Sequence, residues 1–271
     1  MPFARFKLAT TILSVFCAFL ASQSMVRADE TIALTESPGW PTYQSSAVDR
    51  NLRWQDERFF VHVPPGVSSS RSVGLLVFVP AEDTFTGLPA GWAEVLDRNQ
   101  FVFIAPQNAG NNQTSGRRAG LGVMAAMGML KKYRNIDTRR VFISGFSGGA
   151  RIASKVAFSQ ADIVRGALLN CGCDFPAHIT WHSVGAESGR DENYGYCSAT
   201  PQECQLARSY VRFALVTGGD DFRRPYLQDI YNDGFRRGGY QARLFDVPDL
   251  GHNLCDGRTL QQALDFLSSG R

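Results

Sequence analysis

One stretch constrains the fold more than any other: Gly145-Phe146-Ser147-Gly148-Gly149. Before it, Arg140–Ser144 is a short apolar run that predicts a buried strand. After it, Ala150–Phe158 predicts a helix. A G-x-S-x-G pattern between a strand and a helix makes a nucleophile elbow. The turn is so tight that the serine takes a strained backbone conformation with its hydroxyl projecting into a cleft. Side chains two residues to either side would collide, so Gly145 and Gly149 suit their places. A serine hydroxyl is a poor nucleophile alone and needs a base and a group that orients the base. The alternative is a glycine-rich turn whose serine merely caps the helix. An acid and a histidine further along the chain would separate the two.

Both follow. Val211–Thr217 is an apolar, β-rich run that ends at Gly218-Gly219-Asp220-Asp221-Phe222. A carboxylate just past the C-terminal end of a strand lies where open α/β sheets carry their chemistry. Ala242–Pro248 predicts a last strand, and Asp249-Leu250-Gly251-His252 comes after it. The order Ser147, Asp221, His252 is that of one class of serine triad and differs from the chymotrypsin and subtilisin orders. A final helix over 258–268, with Leu260, Ala263, Leu264, Phe266 and Leu267 apolar, would pack on the sheet and hold His252.

With these residues in view, the chain resembles secreted esterases of the α/β-hydrolase superfamily, of the polyhydroxybutyrate-depolymerase and feruloyl-esterase type. The likeness is carried by Phe103–Gln107, Arg134–Gly149, Thr217–Phe222 and Val247–His252. It implies Ser147 as nucleophile, His252 as base and Asp221 as orienting acid, with Asp220 the competing choice. It also implies an oxyanion hole built from the Gly148 amide and a second amide in the loop after the first central strand, Gly74–Val79. That loop departs from the family. Pro80-Ala81 stands where a His-Gly pair is usual, which puts the second donor at Glu82. Proline has no amide hydrogen, and losing one donor costs about 10²–10³-fold in rate.

Residues 1–28 contain Arg5 and Lys7, an apolar run over 8–21, and Val26-Arg27-Ala28 before Asp29. This predicts a cleaved signal peptide, since the run is short for a membrane span of about 20 residues. The expected location is therefore secreted or periplasmic. Without Arg5, Lys7 and Arg27 the 28 Lys+Arg fall to 25, equal to the 25 Asp+Glu. No basic excess then points to nucleic acid or an anionic membrane as partner. The expected partner is an ester, small or polymer-linked.

Residues 29–271 suit one α/β domain, and short apolar runs alternating with helical patterns predict a mainly parallel sheet covered on both faces. The expected strands are Phe59–Val63, Gly74–Val79, Phe101–Ala105, the elbow strand, Val164–Asn170, the Val211 run and the Ala242 run. Helices are expected over 92–99 and 117–133, and residues 29–55 as a polar lead-in. The section 174–208 is expected to be irregular and to cap the cleft, bringing Phe175, Trp181, Tyr194 and Tyr196 near a substrate. Export permits disulfides. At least one bridge is expected, Cys197 to Cys204 or one of these to Cys171 or Cys173. No cofactor is expected. His178 and His182 have a chelating spacing but lack a third ligand, so no metal is expected, and His62 is expected to be structural. A peptidase or another acyl transferase on this fold, and a non-catalytic binding protein that keeps the elbow, are the competing functions.

Overall fold

The computed structural model describes residues 29–68, 70–179 and 195–269. The expected leader, residues 1–28, and the centre of the section expected over the cleft, residues 180–194, lie outside them. Eight strands form one sheet: β1 (Glu30–Ile32), β2 (Phe59–His62), β3 (Val73–Val79), β4 (Phe101–Pro106), β5 (Ile136–Phe146), β6 (Gly166–Asn170), β7 (Arg212–Asp220) and β8 (Gln241–Gly251). Their order is β1-β2-β4-β3-β5-β6-β7-β8. β2 is antiparallel to both β1 and β4, and every later pairing is parallel.

The strands show why the sheet is buried on both sides. All seven residues of β3 are buried. Leu75, Val77 and Val79 join one core, whereas Leu76 and Phe78 join the other. β5 divides the same way, with Val141 and Ile143 on one face and Phe142 on the other. This is the period-two alternation of a pleated strand with apolar layers above and below. Helices α2 (Ser115–Lys132), α3 (Gly148–Ser159), α4 (Pro201–Tyr210) and α5 (Arg224–Asp229) send Met124, Ile152, Ala207 and Leu227 into the first core. α5 continues as a wider π-helical turn over Ile230–Arg236, which adds Phe235. Helices α1 (Trp92–Asn99) and α6 (Gly257–Ser268) cover the other face. The Trp92 indole donates to the Cys255 carbonyl at 2.7 Å and so ties α1 to the start of α6.

Parallel strands place their C-terminal ends along one edge. β3, β5, β6, β7 and β8 therefore deliver Pro80–Glu82, Ser147, Cys171, Asp221 and His252 to neighbouring loops at that edge.

Three regions differ from the sequence expectation. The polar lead-in contributes β1, which adds an edge strand to β2 through Glu30↔Val61 and Ile32↔Phe59. Part of the section expected to be irregular is α4, started by Thr200 and Glu203 in a reciprocal capping box with Pro201 in the first turn. Phe175 is 5 % exposed and meets Phe158 and Phe235 edge to face, so it packs in the core. Tyr196 pairs its backbone with Phe175 and stacks on His178. Trp181, His182 and Tyr194 fall outside the described residues. His62 is buried with its two ring nitrogens 2.7 Å from Asp29 and 2.8 Å from Asp97, joining β2 to α1 and to the residue before β1.

The expected disulfide is not formed. Cys171, Cys173, Cys197, Cys204 and Cys255 are all free thiols. Cys171 turns its Sγ to the Asn253 carbonyl at 3.3 Å, and Cys173 turns its Sγ to the carbonyl of Asp174. Cys255 belongs to the core under α1 and α6, on the other face of the sheet from Cys173 and Cys197.

Candidate active site

β5 runs straight into the elbow. Ser147 has φ 54° and ψ −116°, a combination that a residue with a side chain takes only where the surrounding structure enforces it. Two glycines make the turn possible. A Cβ on Gly145 would lie 2.4 Å from the Gly149 backbone, and one on Gly149 would lie 2.0 Å from the Val79 carbonyl oxygen. The Ser147 amide is anchored by the Asn170 carbonyl of β6 at 2.9 Å. The elbow is thus wedged between β3 and β6, and its serine has little freedom to relax.

The structure brings three of the expected residues together. His252 Nε2 lies 2.9 Å from Ser147 Oγ, and His252 Nδ1 lies 2.8 Å from Asp221 Oδ1. An ionised Asp221 can only accept, so Nδ1 carries the hydrogen and Nε2 is left to accept from the serine hydroxyl. Asp221, not Asp220, makes this contact. Asp220 ends β7 beside Gly251 and is exposed, whereas Asp221 is 3 % exposed.

Asp221 is held on every side. Its Oδ1 also accepts from the Arg223 amide at 3.0 Å, and its Oδ2 accepts from the Thr217 hydroxyl at 2.8 Å. Burial pushes its pKa up, but chiefly the hydrogen bonds from the Arg223 amide, His252 and Thr217 outweigh burial and hold the carboxyl below its ordinary value. The Cys171 thiol is pushed far up by burial and by the neighbouring Asp221 charge, which keeps it a protonated donor. Sulfur, carboxylate and imidazole of Cys171, Asp221 and His252 lie within 4.8 Å of one another. Asp221 and His252 are already engaged with each other and with Ser147, and the thiol faces the Asn253 carbonyl, which fits an acid–base array better than a set of metal ligands.

Gly148 and Glu82 are the two residues expected to form an oxyanion hole. Gly148 is the first residue of α3, so its N–H has no acceptor within the helix. Glu82 is exposed and lies in the loop after β3. That loop is pinned at the Pro80 carbonyl by Arg118, at the Ala81 carbonyl by the Asn111 amide and at the Asp83 carbonyl by the Asn108 amide. Pro80-Ala81 is therefore compatible with an ordered loop. Sequence reasoning missed Thr217, Cys171 and two aromatic rings: Phe146 and Phe222 lie 5.1 and 4.4 Å from the His252 ring. Phe222 is 66 % exposed, an unusual position for a large apolar group.

No family model matches the chain. Over 123 residues it is 24% identical to the poly(3-hydroxyalkanoate) depolymerase C of Paucimonas lemoignei, a match that takes in 41% of this chain and 30% of that protein. The match thus spans under a third of the curated relative's length. Among solved structures, a ferulic acid esterase superposes with a TM-score of 0.58 at 15% identity, over 89% of this chain and 96% of that one. The S-formylglutathione hydrolase of Staphylococcus aureus superposes with a TM-score of 0.59 at 14% identity, over 89% and 98%. At this identity the likeness establishes architecture, and the chain has the α/β-hydrolase fold.

Proposed function

We propose that the protein is a serine carboxylic-ester hydrolase that works through an acyl-enzyme, with Ser147 as nucleophile, His252 as general base and Asp221 as orienting acid. The observation that carries this reading is that the two nitrogens of one imidazole are engaged at hydrogen-bond distance by Ser147 and Asp221. The esterase names among similar proteins support the choice of an ester as substrate.

His252 Nε2 takes the Ser147 proton as Oγ attacks the ester carbonyl. The buried Asp221 carboxylate stabilises the imidazolium that forms. The backbone amides of Gly148 and Glu82 donate to the oxyanion. The tetrahedral intermediate collapses, His252 returns the proton to the leaving alcohol, and the acyl group remains on Oγ. A water, deprotonated by His252, then releases the acid and restores the serine. Neither a cofactor nor a metal enters this scheme. The N-terminal pattern of residues 1–28 supports export to a secreted or periplasmic location.

Short-chain p-nitrophenyl esters test the reading. The protein is expected to hydrolyse them and Ser147→Ala to abolish turnover. Turnover of peptide anilides in preference to esters would move the assignment to a peptidase. Hydrolysis of neither would favour a binding protein that keeps the fold.

A further inference from the structure

Beside the elbow lies a cavity of about 290 Å³ between α2, α3 and the loop that carries Asp221. Gly148, the residue after the serine, forms part of its wall, so the cavity adjoins the reacting centre. Beside the neutral Asn111, Gln113 and Ser115, its lining carries four cations: Arg118 from α2, Arg151 and Lys155 from α3, and Arg223, two residues after Asp221. One carboxylate, Asp174, faces them from within.

Among the described residues, the cationic donors without an acceptor in this lining belong to Arg223. Asp174 is fully buried and accepts from Arg151 Nε at 2.6 Å, and Lys155 Nζ sits 3.1 Å from its other oxygen. Asp174 thus bridges the two α3 side chains. Arg118 is buried and spends its N–H groups on the Ala109 and Pro80 carbonyls, which carry no net charge. Asp83, an acid whose charge acts on it, is occupied by the Gly110 amide, Asn112 and Gln113. Burial, and then the charge of Arg151, push the Arg118 guanidinium down to about 10. Arg223 has two donors without an acceptor. Its Nε and Nη1 are buried and make no hydrogen bond among the described residues, and its guanidinium lies over the Phe222 ring at 5.5 Å. Leaving charged donors buried and unpaired costs free energy unless a ligand supplies the acceptor.

The geometry points to an anion subsite: the ester that Ser147 attacks carries an anionic oxygen group, a carboxylate or a phosphate, which seats in this cavity against Arg223, with Arg118 and Lys155 in the same lining. The inference rests on the serine-hydrolase reading and narrows its substrate class to anionic esters. Guanidinium groups are suited to such oxygen anions. The same field, beside a nucleophile, would draw anionic esters to the cleft.

The test compares p-nitrophenyl hydrogen adipate with its neutral partner, p-nitrophenyl methyl adipate, and adds the succinate and suberate pairs to vary reach. For the best-fitting length the anionic ester is expected to be favoured about tenfold or more in kcat/KM, with the gain in KM. Arg223→Gln is expected to bring that ratio close to one. Adipate and inorganic phosphate, added as competitors against the neutral ester, separate the two anions by which inhibits at lower concentration. Equal use of charged and neutral esters at every length, with no competition by either anion, overturns the subsite while leaving the hydrolase reading in place. Absence of any turnover that depends on Ser147 overturns both.

Discussion

The His252 ring donates from Nδ1 to Asp221 Oδ1 at 2.8 Å, and the second oxygen of that carboxylate accepts from Thr217 at 2.8 Å. Thr217 is fully buried on β7, four residues before the acid it holds. The acid is therefore fixed by its own strand before it meets the histidine. Thr217→Val keeps the shape and removes the donor. A hydrogen bond to a charged group contributes about 1.5–3 kcal/mol, so kcat is expected to fall about tenfold or more with KM little changed. Steady-state kinetics on a neutral ester check this. An unchanged kcat would mean that Thr217 does not position the acid.

Asp221 also predicts how the fold responds to acid. Its folded pKa lies below the ordinary 3.8. A depressed carboxylate contributes stability that is present above the unfolded value and lost as pH falls through the folded value. Urea midpoints of the wild type are expected to drop as pH falls below about 4. Asp221→Asn, which cannot take up that proton, should show a shallower drop over the same window. A steeper drop in the variant would contradict the assignment of this linkage to Asp221.

Asp174 holds α3 from below by pairing with Arg151 and Lys155. Asp174→Ala removes the anion that Arg151 and Lys155 share, and both cations are only about a quarter exposed. The expected loss is about 3 kcal/mol, near the lower end for breaking a buried pair because both cations keep some access to water. It would be read as a lower urea midpoint with an unchanged slope. A variant as stable as wild type would show that the pair does not brace the helix.

The thiols allow a direct count. A protein beginning at Asp29 carries five cysteines, all free in the structure. Titration with a thiol reagent after denaturation, without reductant, should find five reactive groups. Finding three would restore a bridge of the kind the export pattern suggests.

Much of this site is readable from local rules. The elbow follows from Gly145 and Gly149, because no side chain fits where they approach other backbone. The sheet follows from runs such as Gly74–Val79, whose unbroken apolarity requires burial on both faces. What escapes the sequence is what depends on approach in space. Cys171 follows β6 and reaches Asp221 across the sheet edge, and no spacing in the chain announces that contact. The bridge expectation fails for the same reason, since compartment permits a disulfide but only the backbone decides which way each sulfur faces. α4 is a different kind of miss. Thr200-Pro201-Gln202-Glu203 is a legible helix start, obscured by the irregular composition before it. β1 is only three residues long and owes its existence to pairing with β2 rather than to its own pattern.

The central claim is that Ser147 is a nucleophile activated by His252. A fluorophosphonate probe, followed by peptide mass mapping, tests it most directly. The folded protein is expected to gain one phosphonyl group on the peptide that contains Ser147. Labelling should be lost in Ser147→Ala, and its rate should fall by about 10³-fold or more in His252→Ala. Folded wild-type protein that stays unlabelled, or that labels at another serine at the same rate with and without His252, would contradict the account.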